Sequence, residues 1–177
     1  MWHLIRRLLG GKTMTTVLAG HVAPTFTLKA TAGSSFALAD ALKKGPVVAA
    51  FFKITCPVCQ FTFPFLERLH KAHKDDPVSF VGISQDDARD TREFLAEYGI
   101  TFPALVDADG YPVSNQYGLT TVPTVFLIAP DGKVKVSSMG FCKADLEDIA
   151  KHLGQQFKKT PAEVFLPTDA VPDYKPG

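Results

Sequence analysis

Six consecutive apolar residues, Val47 to Phe52, run almost directly into Cys56-Pro57-Val58-Cys59. No other stretch restricts the fold as much. A strand that is apolar at every position, rather than at every second one, has both faces covered and belongs in the middle of a sheet. Beyond the motif, Cys59 to Lys74 repeats its apolar residues at helical spacing and reads as an amphipathic helix. Two thiols two residues apart at a strand-to-helix junction can close into a disulfide and reopen, which makes the junction a redox device.

The alternation continues on both sides. Phe26-Thr27-Leu28 and Phe36-Ala37-Leu38 flank a Gly33-Ser34-Ser35 turn and read as a short hairpin ahead of the main sheet. Asp40 to Lys44 is a brief helical turn stopped by Gly45. Val78 to Ser84 is a second central strand, Asp87 to Tyr98 a helix stopped by Gly99, and Phe102 to Val106 a further strand. A short helix, Val113 to Tyr117, precedes Thr124 to Ile128 and Lys133 to Ser137, two strands joined by Pro130-Asp131-Gly132. Lys143 to Leu153 is the last helix. Strands alternating with helices imply an α/β fold with a parallel core, and the closing hairpin adds an antiparallel edge. After Lys159, Pro161, Pro167, Pro172 and Pro176 interrupt any helical period, so an extended, polyproline-like segment is expected, either lying over the domain or mobile. The chain thus divides into an N-terminal extension at 1–16, one domain at 17–158 and a Pro-rich tail at 159–177.

Hydrophobic residues make up 46% of the 177, enough for a core and too many for a disordered chain. With 19 Lys and Arg against 18 Asp and Glu the net charge is +1, and no basic stripe points to nucleic acid. No apolar run approaches the roughly 20 residues of a membrane span. Near the start, Arg6-Arg7 split Leu4-Ile5 from Leu8-Leu9, which leaves no continuous apolar segment of the secretory type. The expected setting is the reducing cytoplasm, where a disulfide is more often catalytic than structural. Three cysteines cannot all pair within one chain.

The thiolate is the attacking species in disulfide exchange. Cys56 is placed at a helix start, where unpaired N–H groups and the helix dipole favour negative charge, and Pro57 suits the first helical position because its missing N–H costs nothing there. Lys53 adds positive potential if it points toward the sulfur. Cys56 is therefore the expected nucleophile, and Cys59, one turn inward, the buried resolving thiol. The competing reading is a zinc site built from Cys56, Cys59, His70 and His73. A helix over this stretch puts His70 roughly 20 Å along its axis from Cys56, which rules out a shared metal. No metal is assigned, and both histidines are expected on a solvated helix face. Among Asp86, Asp87 and Asp90, Asp86 or Asp87 is expected to cap the following helix. Cys142 stands just before the last helix with Asp145 three residues on, an N-cap position. It is either a further redox thiol or a small residue where Ser often stands, and the second reading is favoured.

Several segments, in order, resemble the thioredoxin-like superfamily, and within it the redoxin group that joins TlpA-like thiol–disulfide oxidoreductases to the AhpC/TSA proteins. Ala23-Pro24-Thr25-Phe26-Thr27-Leu28 is similar to the opening strand of that group. Phe51-Phe52-Lys53-Ile54-Thr55-Cys56-Pro57-Val58-Cys59 matches its active-site strand and motif, with Pro64 where thioredoxins place a helix proline. Val81-Gly82-Ile83-Ser84-Gln85-Asp86-Asp87 resembles the next strand and loop. Thr121-Val122-Pro123-Thr124-Val125-Phe126-Leu127-Ile128 resembles the segment bearing the cis-proline. The resemblance covers roughly residues 18–155. It implies a thioredoxin-like fold, a central mixed sheet flanked by helices, with an N-terminal β-hairpin extension. It further implies that Pro123 is cis beside Cys56 and that the Val122 backbone pairs with an extended substrate. Thr55 and Pro57 then flank the reacting sulfur, and Gly140 and Phe141 help line the groove. The implied cofactor is none beyond the Cys56–Cys59 disulfide. The implied partners are protein or low-molecular-weight disulfides and an external electron donor, met by a monomer without nucleic acid.

The chain also departs from these patterns. Thioredoxins place Trp before the first cysteine, where Thr55 stands here, and a buried Asp six residues before it, where Ala50 stands. Several TlpA-like proteins carry Glu six residues after it, where Thr62 stands. Peroxiredoxins need Thr three and Pro seven residues before the reacting cysteine. Those positions are Lys53 and Ala49 for Cys56, and Cys56 and Phe52 for Cys59, and no Arg follows Arg92. Dithiol exchange is thus the leading expectation. A thiol-dependent peroxidase is the alternative, and a binding module using the tail is the third reading.

Overall fold

A computed structural model describes residues 15–177. Residues 1–14, which carry most of the expected basic extension, lie outside the described residues. A hairpin of β1 (Thr27–Lys29) and β2 (Ser35–Ala37) leads through α1 (Leu38–Leu42) into β3 (Val47–Phe52). There follow α2 (Pro57–Ala72), β4 (Ser79–Ser84), α3 (Ala88–Glu97), β5 (Ala104–Val106), α4 (Pro112–Gln116), β6 (Thr124–Ile128) and β7 (Val134–Met139). The chain closes with β8 (Phe141–Cys142), α5 (Lys143–Gln156), a 3₁₀ turn (Pro167–Asp169) and β9 (Tyr174–Lys175).

The main sheet runs β5-β4-β3-β6-β7. β3 lies parallel to β4 and β4 to β5, whereas β6 is antiparallel to both β3 and β7. This is the mixed sheet, with a parallel core and an antiparallel edge, that the alternating pattern implied. The unbroken apolar run in β3 has a simple cause. Val48, Ala50 and Phe52 face one core, shared with Phe63 and Leu66 of α2, Phe94 of α3 and Ile149 of α5. Val47, Ala49 and Phe51 face the other, shared with Leu38, Val113, Tyr117 and the N-terminal hairpin. No helix among the described residues is long and apolar enough to cross a membrane.

Three local expectations need correction. The apolar spacing alone puts the start of α2 at Cys59; the helix starts two residues earlier at Pro57, the first helical position its ring suits, with Cys56 as the N-cap. His73 is not on a solvated face. As the C-cap of α2 it turns inward, is 2% exposed, lies 5.9 Å from the Phe157 ring and has Nδ1 2.7 Å from Asp76 Oδ2. His70 is half-buried against the rings of Phe80 and Phe102.

The segment after Lys159 is more structured than its prolines implied. β9 pairs antiparallel with β8, Phe141 opposite Lys175 and Cys142 opposite Tyr174. A ladder of two residues leaves no period in the sequence to read.

Candidate active site

The turn after β3 delivers Cys56 to the N-cap of α2, where its N–H donates to Lys53 O at 3.1 Å. Its sulfur does what a Ser or Asp oxygen does at an N-cap: it accepts the Cys59 N–H, at 3.2 Å. The thiol also donates to Val122 O at 3.4 Å. Cys56 is thus partly exposed and held at the positive end of a helix of 16 residues. Cys59, one turn further on, is fully buried. Burial pushes its thiol far above the ordinary range, and the hydrogen bond it donates to the Cys56 sulfur, the Cys56 charge and the Asp86 charge push the same way. One sulfur is therefore open and supported by a backbone donor, and the other is closed and held protonated.

The Val122–Pro123 peptide is cis, and Pro123 O accepts the Gly140 N–H at 2.8 Å. This bond brings the start of β8 to the same edge as the thiols. Thr55 and Pro57 are exposed on either side of Cys56, and Lys53 is half-buried in the turn before it. Phe141 differs from its expected place as a groove wall. It is fully buried, 4.9 Å from the Phe61 ring, 6.0 Å from Phe65 and 5.8 Å from Phe165, so it supports the groove from beneath. Cys142 occupies the N-cap of α5, but its side chain makes no capping hydrogen bond. Burial raises its pKa, and its backbone pairs with Tyr174 in the β8–β9 ladder.

Asp86 has a role that the sequence did not reveal. Asp87, not Asp86, caps α3, accepting the Asp90 N–H at 2.8 Å. Asp86 reaches back across the sheet end and accepts the Ile54 N–H at 2.8 Å, while Gln60 Nε2 donates to Ile54 O at 2.9 Å. Both polar groups of the residue two before Cys56 are thereby clamped, which stiffens the turn that aims the sulfur. Adjacent aspartates offer no sequence signal for which of them caps. Thr62, where some relatives carry Glu, is buried and donates to Val58 O at 2.7 Å within its own helix. Among the described residues no group of three or more His, Cys, Asp and Glu side chains is placed to hold a metal ion.

A thioredoxin-like sheet that delivers C-x-x-C to the N-terminus of a helix, beside a cis-proline, defines the class: this is a thiol–disulfide oxidoreductase. The AhpC/TSA family matches residues 19–137, and the chain belongs to that family. It is 32% identical over 120 residues to the thiol-disulfide oxidoreductase ResA of Bacillus subtilis (strain 168), covering 67% of this chain and 66% of that protein. It is 31% identical over 140 residues to ResA of Geobacillus thermodenitrificans (strain NG80-2), covering 78% of each. Among solved structures it is similar to a Chlorobium tepidum protein provisionally named thiol:disulfide interchange protein DsbE. The TM-score is 0.68 at 27% identity, over 78% of this chain and 96% of that one.

Proposed function

We propose that Cys56 and Cys59 exchange with disulfides of proteins through a mixed disulfide. The Cys56 thiolate attacks one substrate sulfur, the substrate S–S bond breaks, and the departing thiolate takes a proton from solvent. Cys59 then gives its proton to solvent and attacks Cys56 Sγ, and the substrate sulfur it displaces takes a proton up. The Cys56–Cys59 bond forms, the mixed disulfide breaks, and the substrate leaves as a dithiol with two electrons gained. An external dithiol returns those electrons, and reversal of the sequence oxidises a substrate.

The observation that carries this reading is the inequality of the two sulfurs. Cys56 is reachable and bonded to a backbone N–H, and Cys59 is buried and held neutral. The order of steps follows from it. While Cys56 is free, its charge and hydrogen bond oppose ionisation of Cys59. Once Cys56 is tied up in a mixed disulfide both effects are gone, and Cys59 ionises more easily when it is needed. A single chain presents the whole site, and a monomer working with a separate electron donor belongs to the same proposal.

The test compares the reduced protein with insulin, a polypeptide disulfide, and with hydrogen peroxide. Fast exchange with the former and slow oxidation by the latter support the reading. The reverse order would place the protein with the thiol peroxidases and overturn it.

A further inference from the structure

The tail leaves α5 at the far end of α2 and runs back along that helix toward the thiols. Lys159 Nζ pairs with Asp76 just beyond the C-terminus of α2. Arg68, midway, donates to Val164 O at 2.7 Å and to Asp169 Oδ2 at 2.6 Å. The Phe165 ring lies 4.9 Å from that of Phe65, and the Lys175 ammonium sits 4.9 Å from the centre of Phe61. Beside the motif the Lys143 N–H donates to Asp173 O at 2.9 Å, and β9 then pairs with β8.

Two glycines measure how closely this strand approaches the site. A Cβ at Gly140 would stand 2.5 Å from Lys175 O and 3.0 Å from Gly177 N. A Cβ at Gly177 would collide with Thr121 Oγ1 and Val122 O. Val122 O is the atom that the Cys56 thiol contacts. Residues 174–177 therefore lie as extended chain against the backbone beside the nucleophile, where an extended substrate would have to pair. A two-residue ladder with β8 and the Lys175 ammonium over Phe61 hold them. Val164, earlier in the tail, is 3% exposed, whereas Tyr174 is 56% exposed. Cys56 itself remains partly exposed beneath them.

We propose that residues 174–177 select substrates: they occupy the groove as an internal mimic of an extended polypeptide and must leave β8 before a protein disulfide can dock. Small disulfides reach Cys56 with the strand in place. This rests on the dithiol-exchange reading above. A strand open about a tenth of the time lowers the apparent affinity for a competing polypeptide about tenfold, and leaves a ligand that does not compete with it unaffected.

The experiment measures kcat/KM for insulin and for 5,5′-dithiobis(2-nitrobenzoic acid), a small aromatic disulfide. It compares the full chain, a chain lacking residues 174–177, and Lys175→Pro, which keeps the length but removes the strand N–H and the ammonium over Phe61. Both variants are expected to reduce insulin about tenfold faster, about 1.4 kcal/mol in the barrier, with the small disulfide unchanged. A peptide of residues 170–177 added to the shortened chain is expected to slow insulin reduction alone. Unchanged insulin rates, or equal acceleration of both substrates, would overturn the proposal. If the shortened chain loses both activities through misfolding, Lys175→Pro decides by the same criteria. Failure of the full chain to reduce either disulfide would sink the exchange reading itself, an outcome distinct from those that remove the selection.

Discussion

The two ends of α2 are built from similar materials toward opposite results. At the N-terminus a sulfur takes the capping position, accepts one backbone N–H and stays partly exposed. At the C-terminus His73 is driven inward, its Nδ1 facing Asp76, and the Lys159 ammonium pairs with the same carboxylate. The first end keeps a reactive group partly exposed, and the second sets a ring nitrogen and an ammonium against one carboxylate. The tail meets both. It is pinned by ions where it begins and held by a two-residue ladder where it passes the thiols. Firm anchoring belongs to the end without chemistry, and weak anchoring to the end where a substrate must come and go.

The largest effect expected of breaking this contrast is chemical. Cys56→Ser is expected to drop insulin reduction to the uncatalysed background while thermal unfolding stays where it was. Cys59→Ser is expected to keep the first attack and stall, so that intact mass shows one substrate chain attached at Cys56. A Cys56→Ser protein with full activity would remove the distinction between the two sulfurs.

Next comes the support beneath the reactive end. Phe141→Ala empties a fully buried site bounded by three other rings, and about 3–5 kcal/mol of stability is expected to go, read from denaturant unfolding. A loss under 1 kcal/mol, the scale of an exposed position, would show that the groove has no such foundation.

The pair can be sharpened by titration. The raised pKa of Cys59 means that its folded form holds a proton that the unfolded chain gives up near about pH 8.5. Its contribution to stability is complete below that pH and is lost as pH rises toward the folded pKa. At pH 8.5, iodoacetamide followed by peptide mapping is expected to label Cys56 and spare Cys59. Equal labelling would contradict the burial on which the mechanism rests.

The smallest effect is expected at the anchored end. The Lys159 ammonium holds the Asp76 carboxyl below the usual range, and the Arg68 guanidinium does the same for Asp169. Both contributions are present above the ordinary carboxylate pKa of about 3.9 and are lost as pH falls through the lower folded values. Hydrogen exchange at residues 159–170 is expected to accelerate in that acid window before the sheet responds. Lys159→Ala is expected to produce the same loosening at neutral pH, with exchange of small disulfides unaltered.

Much of this was legible in the residues. The apolar run of β3 specified a covered central strand, because only a strand buried on both faces tolerates six apolar residues in a row. The C-x-x-C spacing specified two sulfurs one helical turn apart, and Pro57 specified where the helix begins. These are local signals: period, spacing and capping act within a few residues of one another. Tertiary structure decided the rest. It turned His73 inward, chose Asp87 over Asp86 as the cap and sent Asp86 back to Ile54, 32 positions away in the chain. It also buried Phe141 beneath the groove and laid residues 174–177 across the edge that Cys56 uses. Each of these depends on a partner distant in sequence, and a hydrogen bond or a ring contact across such a gap leaves no period to read. The dithiol follows from local chemistry. What covers it follows from how the chain returns.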